Sequence, residues 1–222
     1  MAEAIRVAIV GAESTGKTTL AAALAPRLAR DTGLRVTWVP EVLRDWCHHL
    51  GRTPKAHEQA ALVRAQHERI EESAARHDVV ICDTTALMTA VYSRLVFTDR
   101  SLDERAVALH RRMSITLLTA LDLPWVADGI QRDGPHVREP VDRLLREFLI
   151  GQRLPWALVA GAGQARVEAA VDALAPLLRP ASGQGGLFTR LAGRNAEPAA
   201  RRWRCENCDD PSCEHRLLGS RR

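Results

Sequence analysis

The chain has 222 residues, 46% of them hydrophobic, and no apolar run approaching the ~20 residues of a membrane-spanning helix, so one α/β core with an appendage is expected and an integral membrane protein is not. The formal net charge of +4 is uneven: residues 181–222 hold eight Arg against five Asp and Glu, a surplus of +3 that leaves +1 for residues 1–180 and argues against a dedicated nucleic-acid surface on the body. Met1 to Ala4 lead straight into an apolar run with no room for a signal peptide, which points to the cytoplasm and to five cysteines acting as thiols or metal ligands before disulfides.

The run Ile5-Arg6-Val7-Ala8-Ile9-Val10 predicts the first strand, and an Ala- and Leu-rich segment predicts a helix over 18–30. Between them lies Gly11-Ala12-Glu13-Ser14-Thr15-Gly16-Lys17-Thr18, the G-x-x-x-x-G-K-T pattern of a phosphate-binding P-loop in its proper strand-to-helix setting. That spacing gathers backbone N–H groups around a β-phosphate at a helix N-terminus, where orphan amides and the helix dipole both favour an anion. Gly11, Glu13, Ser14, Thr15, Gly16, Lys17, Thr18 and Thr19 are therefore the expected ATP-binding residues, with Lys17 on the β/γ-phosphates and Thr18 on Mg²⁺. Lysine is scarce, since Lys55 is the only other one in the chain.

Further strand-like runs at 35–40, 78–82, 114–119 and 155–160 alternate with helical patterns at 57–76, 139–150 and 165–178. The expected fold is a P-loop NTPase of class α/β, a five-stranded parallel sheet with helices on both faces, spanning residues 1–179. A Gly-, Pro-, Ala-, Ser- and Arg-rich stretch over 180–202 reads as a flexible linker to a small Cys/His tail at 203–222.

In such sheets ligands sit at the carboxyl ends of the strands. Strand two leads to Glu41, followed on an expected helical turn by Arg44, Trp46 and Cys47; Glu41 would take a proton from a substrate hydroxyl, unless the pair is only a surface i,i+3 ion pair. Strand three ends in Asp83, a Walker-B-like candidate for Mg²⁺ or else a helix cap. Thr84 stands where hydrolytic motors place a water-activating glutamate, so water activation is poorly supplied, and the base-reading motif of guanine-nucleotide switches is missing. The segment 125–138, Trp-Val-Ala-Asp-Gly-Ile-Gln-Arg-Asp-Gly-Pro-His-Val-Arg, reads as a lid whose Arg132 and Arg138 would neutralise a transferred phosphoryl group, or as a solvated basic loop.

Gly-Ala-Glu-Ser-Thr-Gly-Lys-Thr-Thr-Leu, Pro-Glu-x-x-Arg-x-Trp, Ile-Cys-Asp-Thr and Pro-Trp-Val-Ala-Asp-Gly together resemble the ribosylnicotinamide kinase domain of bacterial NadR-like proteins over residues 5–178. The resemblance implies transfer of the ATP γ-phosphoryl to the 5′-hydroxyl of nicotinamide riboside or a similar nucleoside. It implies Glu41 or Asp83 as proton acceptor, Arg132 and Arg138 in the lid, and a substrate site at Glu41, Arg44, Trp46, Trp125 and Asp128, with one tryptophan stacking on the cationic nicotinamide ring. The adenylyltransferase and DNA-binding roles of larger family members are not implied.

In the tail, Cys205, Cys208, Cys213 and His215 supply four soft ligands for a tetrahedral Zn²⁺ site in a stretch too polar for its own core. Its flanking arginines leave nucleic acid or a partner protein as possible contacts. The competing reading of the whole chain is an ATP-binding regulatory module acting through that tail.

Overall fold

Ile5–Val10 forms β1, which has a parallel neighbour on each side and is buried from Arg6 onward because helices cover both faces of the sheet. The computed structural model describes residues 3–127 and 134–182, which fall within one compact unit, Met1–Leu187. After β1 come α1 (Lys17–Thr32), β2 (Val36–Val39), α2 (Val42–Leu50), a single 3-10 turn (Ala56–Glu58), α3 (Gln59–Ala74), β3 (Val79–Asp83), α4 (Ala86–Phe97), α5 (Asp103–His110) and β4 (Ile115–Thr119). A second 3-10 turn (Pro135–Val137), α6 (Arg138–Gly151), β5 (Trp156–Val159) and α7 (Gly163–Ser182) complete the order.

The sheet is entirely parallel with strand order β2-β3-β1-β4-β5, which confirms the α/β expectation. Each parallel step needs a crossover, and the helices supply it on both faces. Alternate residues of the strands face opposite layers. Ala8, Val10, Val80, Cys82 and Leu118 join one core with Ile70 of α3, Leu87, Met88 and Val91 of α4, and Leu145 and Leu149 of α6. On the other side α1 packs against α7, locked by Arg27, which bonds Asp31 within α1 and reaches Glu168 of α7 through Nη1 at 2.6 Å and Nη2 at 3.2 Å.

The five strands stand within a residue or so of their expected bounds, while α4 and α5 have no counterpart in the sequence reading. α4 (Ala-Leu-Met-Thr-Ala-Val-Tyr-Ser-Arg-Leu-Val-Phe) is apolar almost all round and packs on α3, α5 and α6, so no single stripe announces it; α5 is only eight residues long. α7 continues to Ser182, so the first residues assigned to a linker are helical. The four tail ligands Cys205, Cys208, Cys213 and His215 lie outside the described residues, as do Asp128 and Arg132. Among the described residues no helix is long and apolar enough to cross a membrane.

Candidate active site

The phosphate loop joins β1 to α1 and is shaped by two glycines. Gly11 has φ +154°, and a Cβ there would overlap Thr119 Oγ1 at the end of β4; Gly16, at φ +75°, is the left-handed residue from which α1 starts. Thr15 Oγ1 donates to the Ala12 carbonyl at 2.8 Å and shares a 2.6 Å hydrogen bond with Thr119 Oγ1, fastening the loop to its neighbouring strand. Lys17 Nζ donates to the Ala12 carbonyl at 2.8 Å, across its own loop. Desolvation lowers the Lys17 ammonium from its ordinary range, against the pull of the Glu41 and Asp83 carboxylates.

Two carboxylates face this lysine from adjacent strands. Glu41 is the residue from which α2 begins, and Gln66 of α3 holds that turn by accepting from Val42 N at 2.8 Å and donating to the Pro40 carbonyl at 3.4 Å. Glu41 Oε2 lies 3.9 Å from Arg44 Nε. Burial raises the Glu41 carboxyl, Lys17 opposes the rise, and Asp83 adds to it. Asp83 closes β3 at 1% exposure, and neither of its buried oxygens has a hydrogen-bond partner of ordinary geometry. Its carboxyl is raised by desolvation, with the nearby Thr18 hydroxyl and Lys17 acting the other way. An orphaned carboxylate beside a loop threonine fits a hard divalent cation, which takes oxygen ligands.

Thr84 follows with φ +68°, an outlier for a β-branched residue, its N–H bonded to the Ile9 carbonyl at 3.0 Å and its hydroxyl acting on Glu41. Thr85 then starts α4, accepting from Leu87 N at 3.3 Å, and its hydroxyl meets Nδ1 of buried His110 at 2.9 Å; His110 Nε2 meets Thr116 Oγ1 at 2.7 Å.

A cleft of about 1100 Å³, its solvent-open mouth included, adjoins the loop. Glu13, Lys17, Glu41 and Arg44 give it polar walls, and Met88, Tyr92 and Phe97 of α4 give it an apolar one. Asp83 does not line it, and neither do Trp46 or Trp125. The Trp46 ring is covered by the Arg52 guanidinium at 4.8 Å, and Trp125 directs its N–H to Glu13 Oε2 at 3.3 Å. The aromatic side chains that do line the cleft are Tyr92 and Phe97, on a helix the sequence pattern does not announce. Arg138 Nη2 donates to the Leu123 carbonyl at 2.8 Å, so it braces the connection after β4, and a Cβ added at Gly16 would come within 3.2 Å of the Leu123 side chain. Thr19 is exposed.

The sequence reading also missed Arg166, 3% exposed on the first turn of α7. It donates to the carbonyls of Gly161 at 2.7 Å and Thr15 at 2.6 Å and pairs with Asp122, whose second oxygen accepts from Gly161 N at 2.6 Å. Nothing in the local pattern marks an arginine as buried, since beside the nearby Gly161 carbonyl its partners, Thr15 and Asp122, lie far away in sequence. Among the described residues no group of three or more His, Cys, Asp or Glu is placed to hold a metal ion.

A family model described as an AAA domain matches residues 6–166. The chain belongs to this AAA-domain family. No curated protein matches the sequence. Among solved structures, a NadR protein in complex with NR is similar at TM-score 0.63 and 23% identity, over 82% of this chain and 52% of that one. A NadR protein in complex with NAD and AMP-PNP is similar at TM-score 0.60 and 21% identity, over 77% and 48%. Thymidylate kinase from Ehrlichia chaffeensis is similar at TM-score 0.53 and 15% identity, over 79% of this chain and all (100%) of that one. The chain thus spans about half the length of the NadR chains, and at these identities the likeness establishes a shared fold.

Proposed function

We propose that this AAA-domain chain is a P-loop phosphotransferase that moves the γ-phosphoryl of ATP to a hydroxyl of a small nucleoside-type acceptor, nicotinamide riboside or a similar nucleoside. The observation that carries the reading is the placing of Glu41: a desolvated carboxylate with raised basicity that lines the cleft beside Lys17, while Asp83, one strand away, stays out of the cleft. A general base needs reach to the acceptor hydroxyl, and the position of Glu41 on the cleft wall supports it in that role. Thr18 and Asp83 are the residues that would hold Mg²⁺, which would supply positive charge to neutralise the phosphates. Lys17 gives up its bond to the Ala12 carbonyl for the phosphate oxygens, and Arg44 stands by the transferred group. An acceptor hydroxyl at Glu41 loses its proton as the phosphoryl group moves in line, and the apolar wall of Met88, Tyr92 and Phe97 receives the base.

That NadR and thymidylate kinase share this fold supports the phosphotransferase class, and the solved NadR complex with NR supports the choice of acceptor to try first. Incubating the protein with Mg-ATP and a panel of nucleosides, nicotinamide riboside included, is expected to give acceptor-dependent ADP. ADP formation indifferent to every acceptor overturns the reading. For the tail we propose a zinc site at Cys205, Cys208, Cys213 and His215. Metal content equal in the natural chain and a Cys205→Ser/Cys208→Ser variant would rule it out.

A further inference from the structure

Glu13 belongs to the phosphate loop by sequence, but its carboxylate is engaged elsewhere. At 5% exposure, its Oε2 accepts from Trp125 Nε1 at 3.3 Å and from Gly134 N at 3.4 Å. Ser14 grips the same stretch of chain: its Oγ donates to the Val126 carbonyl at 2.9 Å and accepts from Val126 N at 3.0 Å. Two consecutive loop side chains therefore bind residues 125, 126 and 134 of the connection between β4 and α6. Ser14 does so from φ +55°, a conformation that a non-glycine residue keeps only where its surroundings enforce it. Glu13 and Ser14 also line the cleft next to Lys17 and Glu41.

We propose that Glu13 is a positioning residue for the acceptor: held in place by the Trp125 indole and the Gly134 amide, it stands with Ser14 as one wall of the acceptor cleft while belonging to the phosphate loop, so that donor and acceptor binding are energetically coupled. The phosphate loop cannot then adjust to a nucleotide without moving what Glu13 and Ser14 hold, and linkage makes the effect reciprocal. The kinetic consequence rests on the phosphotransferase reading, while the latch itself does not.

The test uses the full chain. Acrylamide quenching of tryptophan emission, with a Trp125→Phe variant subtracted, isolates the Trp125 signal. Glu13→Ala is expected to raise the quenching of Trp125, and Glu13→Gln, which keeps a carbonyl acceptor, to stay near the natural chain. Should the alanine variant fail to fold, Glu13→Asp, shorter by one methylene, gives the same readout. Quenching equal in the natural chain and the alanine or aspartate variant overturns the latch. In turnover, Glu13→Ala is expected to raise the acceptor KM about 10-fold, as for loss of a hydrogen bond to a charged group, with kcat changed far less. Trp125→Phe should add little on top of it. Fully additive losses, or a fall in kcat with an unchanged acceptor KM, count against the proposal. If the natural chain shows no acceptor-dependent ADP, the phosphotransferase reading fails and quenching alone decides the latch.

Discussion

Arg166 Nη1 donates a 2.6 Å hydrogen bond to the main-chain carbonyl of Thr15, so the first turn of α7 holds the phosphate loop from across 151 residues of sequence. The same guanidinium satisfies the Gly161 carbonyl and pairs with Asp122. Planar, forked donors are what such a junction needs, and lysine cannot supply them. Arg166→Ala is expected to destabilise the domain by about 3 kcal/mol, since it leaves buried acceptors without donors. For a domain of this size that is a loss of roughly 6–12 °C in Tm. Arg166→Lys should recover only part of it. Thermal denaturation, with ADP titration to follow the loop, checks both.

Glu41 sets the expected pH dependence. Its raised carboxyl must be ionised to accept a proton, so kcat is expected to rise with pH through that raised value and then level, above where an unperturbed glutamate would titrate. Glu41→Gln should lower kcat by about 10²–10⁴-fold and abolish the limb. Thr84→Gly relieves the positive-φ strain but removes a hydroxyl that favours the ionised form, so the limb should move to higher pH while stability holds or improves. A limb left in place by Glu41→Gln would return the base role to Asp83.

Asp83 should cost the free protein stability that bound metal restores. Its folded pKa is raised, so the native state binds the proton more tightly than the unfolded chain; stability falls as pH rises through the window between the ordinary aspartate value and the raised one, and the loss is complete above it. Asp83→Asn is therefore expected to leave the nucleotide-free protein at least as stable as the natural chain at neutral pH. It should also forfeit the gain from Mg-ADP, which at 100 times Kd is worth about 2.7 kcal/mol, or roughly 5–11 °C. Thermal shifts with and without Mg-ADP read both effects. A natural-sized Mg-ADP shift in Asp83→Asn removes Asp83 from the metal site.

The donor half of the site was legible because it is local: Gly11 to Thr18 are consecutive, and the strand before and helix after them carry strong patterns. Asp83 and Glu41 were legible as ends of apolar runs. The apolar wall of the cleft and the braces around the loop were not, for two physical reasons. Met88, Tyr92 and Phe97 sit on a helix buried on several sides, where periodicity fades. Arg166 and the Glu13 to Trp125 bond depend on long-range packing that no local window contains.

His110 makes a distinct, acid-side prediction. It is 2% exposed between the Thr85 and Thr116 hydroxyls, and desolvation lowers its pKa from 6.5 to about 4. The unfolded chain therefore binds the proton first: stability is full above pH 6.5 and is lost as pH falls toward 4. By linkage the loss approaches about 3 kcal/mol at the foot of that window. His110→Asn removes the titration, so the difference in unfolding free energy between the natural chain and the variant should shrink or reverse on going from pH 7 to pH 4, whatever the shared carboxylates contribute. Since Thr85 follows Asp83 and Thr84 directly, loosening at His110 should reach the metal-side turn before the domain unfolds. Denaturant unfolding across the pH range settles the sign: a difference independent of pH would show that folding leaves the His110 pKa unshifted, and one that grows toward acid would show that His110 is charged in the folded protein.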